Sequence, residues 1–309
     1  MRKSIFITLI TLFATVAQAQ QWQWAKPLNK KWISSINQKW EQTNTLKTDA
    51  NGNVYVTGWF EDTAYFSPTV YKYSSVKNGF LAKYNTNGTL QWVKHFSSGA
   101  LNRGTALAID NFGNCFLTIY FNGNTTINID GTIYSPTNQS TIIVEFSSQG
   151  NKIASHLLSN LQTYIEPRDV EVYNNKVIIA GIKAGLDVNG LYMNNSYIDT
   201  LRGNIFLLAI DWPSQNYLWV RDIMTGTNTQ TDGAIGLDMD MTNAGDIFLT
   251  ATYKSSLNFD FPYSPFLGNV QGYGQGNYDH IVAKYDHLGN YYWATNIGGS
   301  GDDIGNSIK

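Results

Sequence analysis

The stretch Phe80-Leu81-Ala82-Lys83-Tyr84-Asn85-Thr86-Asn87-Gly88-Thr89-Leu90-Gln91-Trp92 returns near the far end of the chain. There it reads Ile281-Val282-Ala283-Lys284-Tyr285-Asp286-His287-Leu288-Gly289-Asn290-Tyr291-Tyr292-Trp293. Looser copies run over 142–154 and 206–219. Each copy is an apolar run, a polar turn with Gly or Asn, and a second strand that mostly ends in Trp. One such hairpin cannot bury its apolar face alone. Several copies must stack and share a core.

A second hairpin precedes each copy. Its first strands read Asn44–Asp49, Thr105–Asp110, Arg168–Tyr173 and Ile235–Asp240. Its second strands read Val54–Phe60, Cys115–Phe121, Val177–Lys183 and Ile247–Tyr253. The turns between them centre on Gly52, Gly113, Asn175 and Gly245, roughly 60 to 70 residues apart. Gly and Asn supply the positive φ of tight hairpins. The flanking runs carry the Val, Ile, Phe, Tyr and Thr that strands favour. A long polar excursion separates the two hairpins of every repeat: Glu61–Gly79, Asn122–Thr141, Ala184–Asn204 and Ser255–His280. These are expected as loops.

Four antiparallel strands repeated in tandem predict an all-β chain of β-propeller blades. A parallel β-helix is the rival, and the hairpin turns inside each repeat argue against it. The repeats are expected at about 41–96, 97–159, 160–224 and 225–297. Residues 22–28 read as the last strand of a blade, and 298–309 as the start of the next. Four blades plus two stray strands predict an incomplete ring. Its expected partners are the remaining blades of a longer native chain.

The N-terminus carries Arg2 and Lys3, an apolar run from Ile5 to Val16, and Ala17-Gln18-Ala19. This is the pattern of a secretory signal peptide over 1–19, with cleavage before Gln20. No cysteine follows the run, which argues against a lipoprotein anchor, and no later segment is apolar enough for a membrane span. The expected location is secreted or cell-surface. A net charge of −2 offers no basic stripe, so no nucleic acid is expected as a partner. The single cysteine, Cys115, sits in an apolar run and is expected as a buried, inert thiol.

The run Gly298-Gly299-Ser300-Gly301-Asp302-Asp303, the Asp-x-x-Gly-Asn turns at 49–53 and 110–114, and the Ala-Lys-Tyr-x-x-x-Gly-x-x-x-Trp pattern resemble the SBBP-type β-propeller repeats. That family is common in secreted proteins of Bacteroidetes-like bacteria. Its members often end in a type IX secretion sorting domain, a segment this sequence does not contain. The resemblance covers nearly all of the chain after the signal peptide. It implies the fold and says almost nothing about chemistry. The third repeat departs most, with Lys176 at the turn and an extra residue in Asp211-Trp212-Pro213-Ser214.

Motifs for chemistry are sparse. Asp49, Asn51 and Asn53 space their oxygens as a calcium loop begins, and Asp302 and Asp303 form a second acidic pair. Position 60, where such a loop would need its glutamate, is Phe60. No cofactor or metal is expected, calcium being the one candidate. The favoured reading for Asp49 is a hairpin turn in which Asp and Asn bond the local backbone, and for Asp302 and Asp303 a solvated loop. His95, His156, His280 and His287 lack metal-ligand spacing, and His280 and His287 are expected on the surface. The five glutamates, Glu41, Glu61, Glu145, Glu166 and Glu171, sit in no recognisable motif. Gly272-Tyr273-Gly274-Gln275-Gly276 lacks the following helix of a phosphate loop.

Trp24, Trp92, Trp219 and Trp293 recur at one repeat position and are expected as packing between blades. Aromatics in the excursions do not follow the repeat. Tyr71, Tyr73, Tyr134, Tyr192, Tyr263 and Tyr273 are the candidate ligand-binding residues, suited to a protein or glycan partner at the loop surface. The rival role is to pin the excursions onto the sheets. The functional expectation is a non-enzymatic binding or display module. The alternatives are a glycan-active hydrolase or lyase with its site at the propeller mouth, and a structural spacer.

Overall fold

The computed structural model describes residues 24–25, 41–123, 125–135, 138–160, 165–183, 189–201, 204–212, 214, 216–225, 235–253, 257–260 and 278–309. The expected signal peptide lies outside them, as do Tyr263 and Tyr273. The described chain is all-β, and no helix in it is long and apolar enough to cross a membrane.

Four units follow one another. The first holds β1 (Glu41–Thr48), β2 (Val54–Tyr65), β3 (Tyr71–Tyr84) and β4 (Leu90–His95). The second holds β5 (Asn102–Ile109), β6 (Cys115–Phe121), β7 (Ile127–Ile129), β8 (Thr132–Tyr134), β9 (Ser140–Phe146) and β10 (Lys152–Asn160). In the third are β11 (Ile165–Tyr173), β12 (Lys176–Lys183), β13 (Asn189–Met193), β14 (Ser196–Leu201), β15 (Ile205–Asp211) and β16 (Asn216–Thr225). The fourth runs β17 (Ile235–Met241), β18 (Ile247–Tyr253), β19 (Leu257–Asp260), β20 (Asp279–Tyr285) and β21 (Tyr291–Ile297). Every pairing is antiparallel. The sheets read β1-β2-β3-β4, β5-β6-β9-β10-β13-β14, β11-β12-β15-β16-β19 and β17-β18-β20-β21.

The excursions are not the loops their sequence predicts. The β13–β14 hairpin of the third unit pairs with β10, the outer strand of the second. Strand β19 of the fourth unit pairs with β16 of the third. In the second unit β7 reaches back through a bridge from Ile127 to Ser98, beside β4 of the first. The first two cover an edge that would otherwise expose unpaired N–H and C=O groups, while β7 forms a separate two-stranded sheet with β8.

The sheets stack face to face, with a core in each gap. Along β12, Val177 and Ile179 face the second unit while Ile178, Ala180 and Ile182 face the fourth. Along β15, Phe206, Leu208 and Ile210 face one way and Ile205, Leu207 and Ala209 the other. Burial on both faces is why these strands are continuous apolar runs. Each fully buried Ile or Leu contributes roughly 1.5–3 kcal/mol. Cys115 is one of these fully buried residues, and burial pushes its thiol well up.

The recurrent tryptophans make the joints. Trp24, Trp92 and Trp219 each donate the indole N–H to a carbonyl in a turn of the next unit, those of Thr86, Ser148 and His287, at 2.9, 3.1 and 3.3 Å. The glycine of that turn lies under the ring. Gly88, Gly150 and Gly289 have φ of +71°, +86° and +78°, and a Cβ there would stand 2.7–2.9 Å from the indole. The turn therefore needs glycine twice over, for its backbone angle and for its neighbour. Trp293 departs from the expected packing. It is 42% exposed, because no described turn follows the last sheet.

Candidate functional site

The first strands of the units lie side by side, β5 next to β1, β11 next to β5, and β17 next to β11. Each carries a β-bulge at the same place: between Thr43 and Thr45, Gly104 and Ala106, Pro167 and Asp169, and Ile235 and Asp238. Such bulges bend a strand and re-aim its side chains. The bent strands, with the C-terminal residues 306–309, enclose a cleft of about 810 Å³ lined mainly by polar and charged groups.

Side chains of one strand hold the backbone of the next. Asn44 Nδ2 donates to the Gly104 carbonyl at 2.7 Å and Thr45 Oγ1 to that of Thr105 at 3.2 Å. Asp169 Oδ2 accepts from the Met239 N–H at 3.0 Å, and Asp238 Oδ2 from that of Ile308 at 2.9 Å. The C-terminal segment thus occupies, beside β17, the place of a further first strand.

Charges fill the rest of the cleft in pairs. Lys47 Nζ meets Glu171 Oε1 at 2.6 Å, and Lys309 Nζ meets Asp240 Oδ1 at 3.3 Å. Glu166 takes Arg103 at 2.7 Å and Arg168 at 3.5 Å. Burial, reinforced by Glu171, pushes the Asp169 carboxyl well up. Burial also raises Glu171, outweighing Lys47, while Glu171 holds Lys47 above its ordinary value against the effect of burial.

None of the four described candidate tyrosines lines this cleft. Tyr71 and Tyr73 stand on one face of the long β2–β3 ribbon, 59% and 61% exposed. Their cross-strand partners are Tyr65 and Thr63, and the Tyr65 and Tyr71 rings lie 5.6 Å apart. The other face of the ribbon is anchored by Ala64 and Phe66, with Phe66 packed on Phe60 and Phe80. Tyr134 is half-buried, with its hydroxyl on Ser155, and packs on the core between the first two sheets. Tyr192 is half-buried on β13, its ring 5.8 Å from Tyr197.

Asp49 serves its own turn. Its Oδ1 accepts from the N–H of Asn51 and of Asn53, and its Oδ2 from the Asn53 side chain. Burial opposes the charge, yet these donors and Lys83 hold the carboxyl below the usual range. Asp110 and Asp286 repeat the arrangement. Asp303 Oδ2 caps Gly299, and Asp302 is exposed. Among the described residues no group of three or more His, Cys, Asp or Glu is placed to hold a metal ion.

The histidines correct one expectation. His280 and His287 are half-buried rather than on the surface: His280 sits against Thr250, and His287 lies 5.2 Å from the Tyr173 ring. Three glutamates without a motif prove structural. Glu166 lines the cleft, Glu171 pairs with the cleft residue Lys47, and Glu145 sits in the joint between the second and third sheets. The signal for Glu145 was a charge inside an apolar strand, Ile142-Ile143-Val144-Glu145-Phe146.

Sheets and cleft together define an all-β repeat protein with a polar cleft between the first strands of its units. No family model matches the chain, and no curated protein matches it.

Proposed function

We propose that this chain is a secreted or cell-surface binding module of the SBBP type, its four sheets the blades of a β-propeller. The fold reading draws support from the side-by-side first strands, the repeated bulges and the repeated tryptophan joints. The export reading rests on Arg2, Lys3 and the Ala17-Gln18-Ala19 site.

The module binds a glycan on the Tyr71–Tyr73 face without turning it over. One observation carries this reading. Tyr134 and Tyr192 are spent on their neighbours, whereas Tyr71 and Tyr73 are 59% and 61% exposed on an anchored ribbon. Flat rings with a hydroxyl edge match a ligand that is apolar on one face and polar at its rim. Two rings make a patch far smaller than a stable protein interface needs, so a glycan fits better than a protein. A glycan array read with the full chain and with a Tyr71→Ala/Tyr73→Ala variant tests it. The variant loses at least about tenfold in affinity, a typical cost for exposed aromatic anchors. Unchanged binding would overturn the reading, and binding to proteins alone would move it to a protein partner.

The carboxylates Asp169, Asp238 and Asp240 in the cleft favour a second reading, a hydrolase. Against it, Asp169 and Asp238 spend an oxygen each on the backbone of the next strand. Polysaccharide cleavage that vanished in Asp169→Asn, with folding intact, would reverse the order of the two readings.

A further inference from the structure

A short link leaves the last strand of the first unit over 96–104, and a matching link leaves that of the fourth over 297–305. Trp92 faces Lys83 across β3–β4, as Trp293 faces Lys284 across β20–β21. Counted from these pairs, the two links align residue by residue. Asn78 then corresponds to Asp279, and Asn102 to Asp303. Both positions change from amide to carboxylate together.

In the first unit the two amides hold the link with both of their edges. Asn78 Oδ1 accepts from the Ser98 N–H at 3.2 Å, and its Nδ2 donates to the Ala100 carbonyl at 3.2 Å. Asn102 Oδ1 accepts from the Gly79 N–H at 2.7 Å, and its Nδ2 donates to the Phe96 carbonyl at 2.9 Å. Both residues are buried. Each of these partners belongs to β3 or to the link itself.

The fourth unit has lost both amide donors, because an ionised carboxylate accepts and cannot donate. The carbonyls that match those of Phe96 and Ala100 belong to Ile297 and Gly301. Asp303 Oδ2 accepts from the Gly299 N–H at 2.8 Å. Asp279 is 1% exposed, and its Oδ1 is buried with no hydrogen-bond partner. That oxygen lies against the link, where a Cβ on Gly298 would stand 2.1 Å from it. Position 298 must therefore be glycine for the carboxyl to come so close. Burial raises the Asp279 carboxyl, and the charge of Asp303 raises it further. Two carboxylates thus share a site that has lost its donors, and a buried charge without a partner is costly.

We propose that the 297–303 link of the fourth unit binds calcium in the place that the Asn78 and Asn102 amide nitrogens fill in the first. Asp279 and Asp303 supply the charge. The Ile297 and Gly301 carbonyls and water complete the six to eight oxygens that calcium takes. An all-oxygen site suits calcium and not zinc, which takes nitrogen and sulfur. This inference does not depend on the tyrosine face or on the cleft.

Calorimetric titration of calcium chloride into the chelator-treated full chain tests it, with melts followed by circular dichroism. The wild-type chain takes up calcium with a dissociation constant of about 10⁻⁴–10⁻³ M, the range of extracellular modules. Calcium at about ten times that constant raises the melting midpoint by roughly 2–4 °C. Asp279→Asn and Asp303→Asn each weaken uptake at least about tenfold, since losing a ligand costs no less than losing a residue behind one. The double variant Asp279→Asn/Asp303→Asn restores the pattern of the first unit. It takes up no calcium at this site, and without calcium it melts at or above the calcium-free wild-type chain. No uptake by the wild-type chain at about 10 mM calcium would overturn the proposal. Uptake by the double variant equal to that of the wild-type chain would do the same, because the ion would then sit elsewhere. A double variant that melts below the calcium-free wild-type chain would show that amides cannot stand in for the ion, and would overturn it too.

Discussion

The joint between the first and second sheets and the joint between the second and third do the same work with reversed parts. In the first, Trp92 comes from the outer strand β4 and lies on Gly150 of the following turn. In the second, the equivalent outer-strand position is Ala154, and the large ring comes from the turn instead. Trp212 is 6% exposed and packs its edge against His156 at 4.7 Å and Phe116 at 5.4 Å. Its N–H goes to Glu145 Oε2 at 2.7 Å. Glu145 stands where the first and fourth copies carry Lys83 and Lys284 and the third carries Ala209, so acceptor, donor and ring have all changed sides together. What the fold keeps is one tryptophan per gap, with its N–H satisfied. Which strand supplies it is free to vary, because close packing responds to volume and polarity at a place in space.

The largest test of that equivalence is Trp212→Ala. It empties a buried ring and leaves Glu145 without its donor, so unfolding free energy should fall by about 3–5 kcal/mol in denaturant titrations. A loss under about 1 kcal/mol would mean the ring does not hold the second joint. Trp92 is only half-buried, and Trp92→Ala should cost less, about 1–3 kcal/mol.

Gly150→Ala sharpens the comparison from the other side. A positive φ and a ring 2.9 Å from the new methyl group should cost about 1–3 kcal/mol. In a Trp92→Ala background part of that cost disappears, with a coupling of at least about 0.5 kcal/mol in a double-mutant cycle. In a Trp212→Ala background the Gly150→Ala cost should add without coupling. Coupling to Trp212 would show that the two joints are not independent.

Acid should weaken both sheets. Burial drives His95 down to about 4 and lowers His156. An unfolded histidine titrates near 6.5. The unfolded chain therefore takes up protons before the native one does. This stabilisation is full above about pH 6.5 and is lost as pH falls toward about 4. Beside His156, burial raises Glu145, which acts in the opposite sense because a raised carboxyl binds its proton more readily in the native state. Unfolding midpoints at pH 7 and pH 5 should converge more in His95→Gln than in His156→Gln, because His95 is lowered further. An equal flattening would show that the two imidazoles are lowered alike.

The smallest effect belongs to Trp293. With its ring 42% exposed and no described turn to receive it, Trp293→Ala should change the stability of the monomer by no more than about 0.5 kcal/mol. A loss like that of Trp92→Ala would mean that the ring is already buried by something in the folded monomer.

Strands β6 and β18 run over the residues their composition and turns predict, Cys115–Phe121 and Ile247–Tyr253. The Asp-x-x-Gly-Asn turns were equally legible, since Asp49 and Asp110 bond residues two and four positions on. The excursions were not legible. Strands β13 and β19 pair with strands of the preceding unit, and short polar segments such as Ser196–Leu201 show no periodicity that marks a long-range partner. The cleft was hidden for a related reason. Lys47 and Glu171 are far apart in the chain, and only the stacking of units brings them to 2.6 Å.

The sequence by itself determined the repeat, its hairpins and its glycine turns, because those depend on backbone angles and on side chains a few residues apart. It also set one tryptophan position per repeat, and in Ala154 and Trp212 it held both marks of the exception. Only the tertiary structure decided what those marks meant. Among the described residues, Trp92 and Trp219 close joints and Trp293 closes none, although the three sit in matching strands. A residue's burial and hydrogen bonds depend on what lies across the gap, and in this fold that is always a different unit.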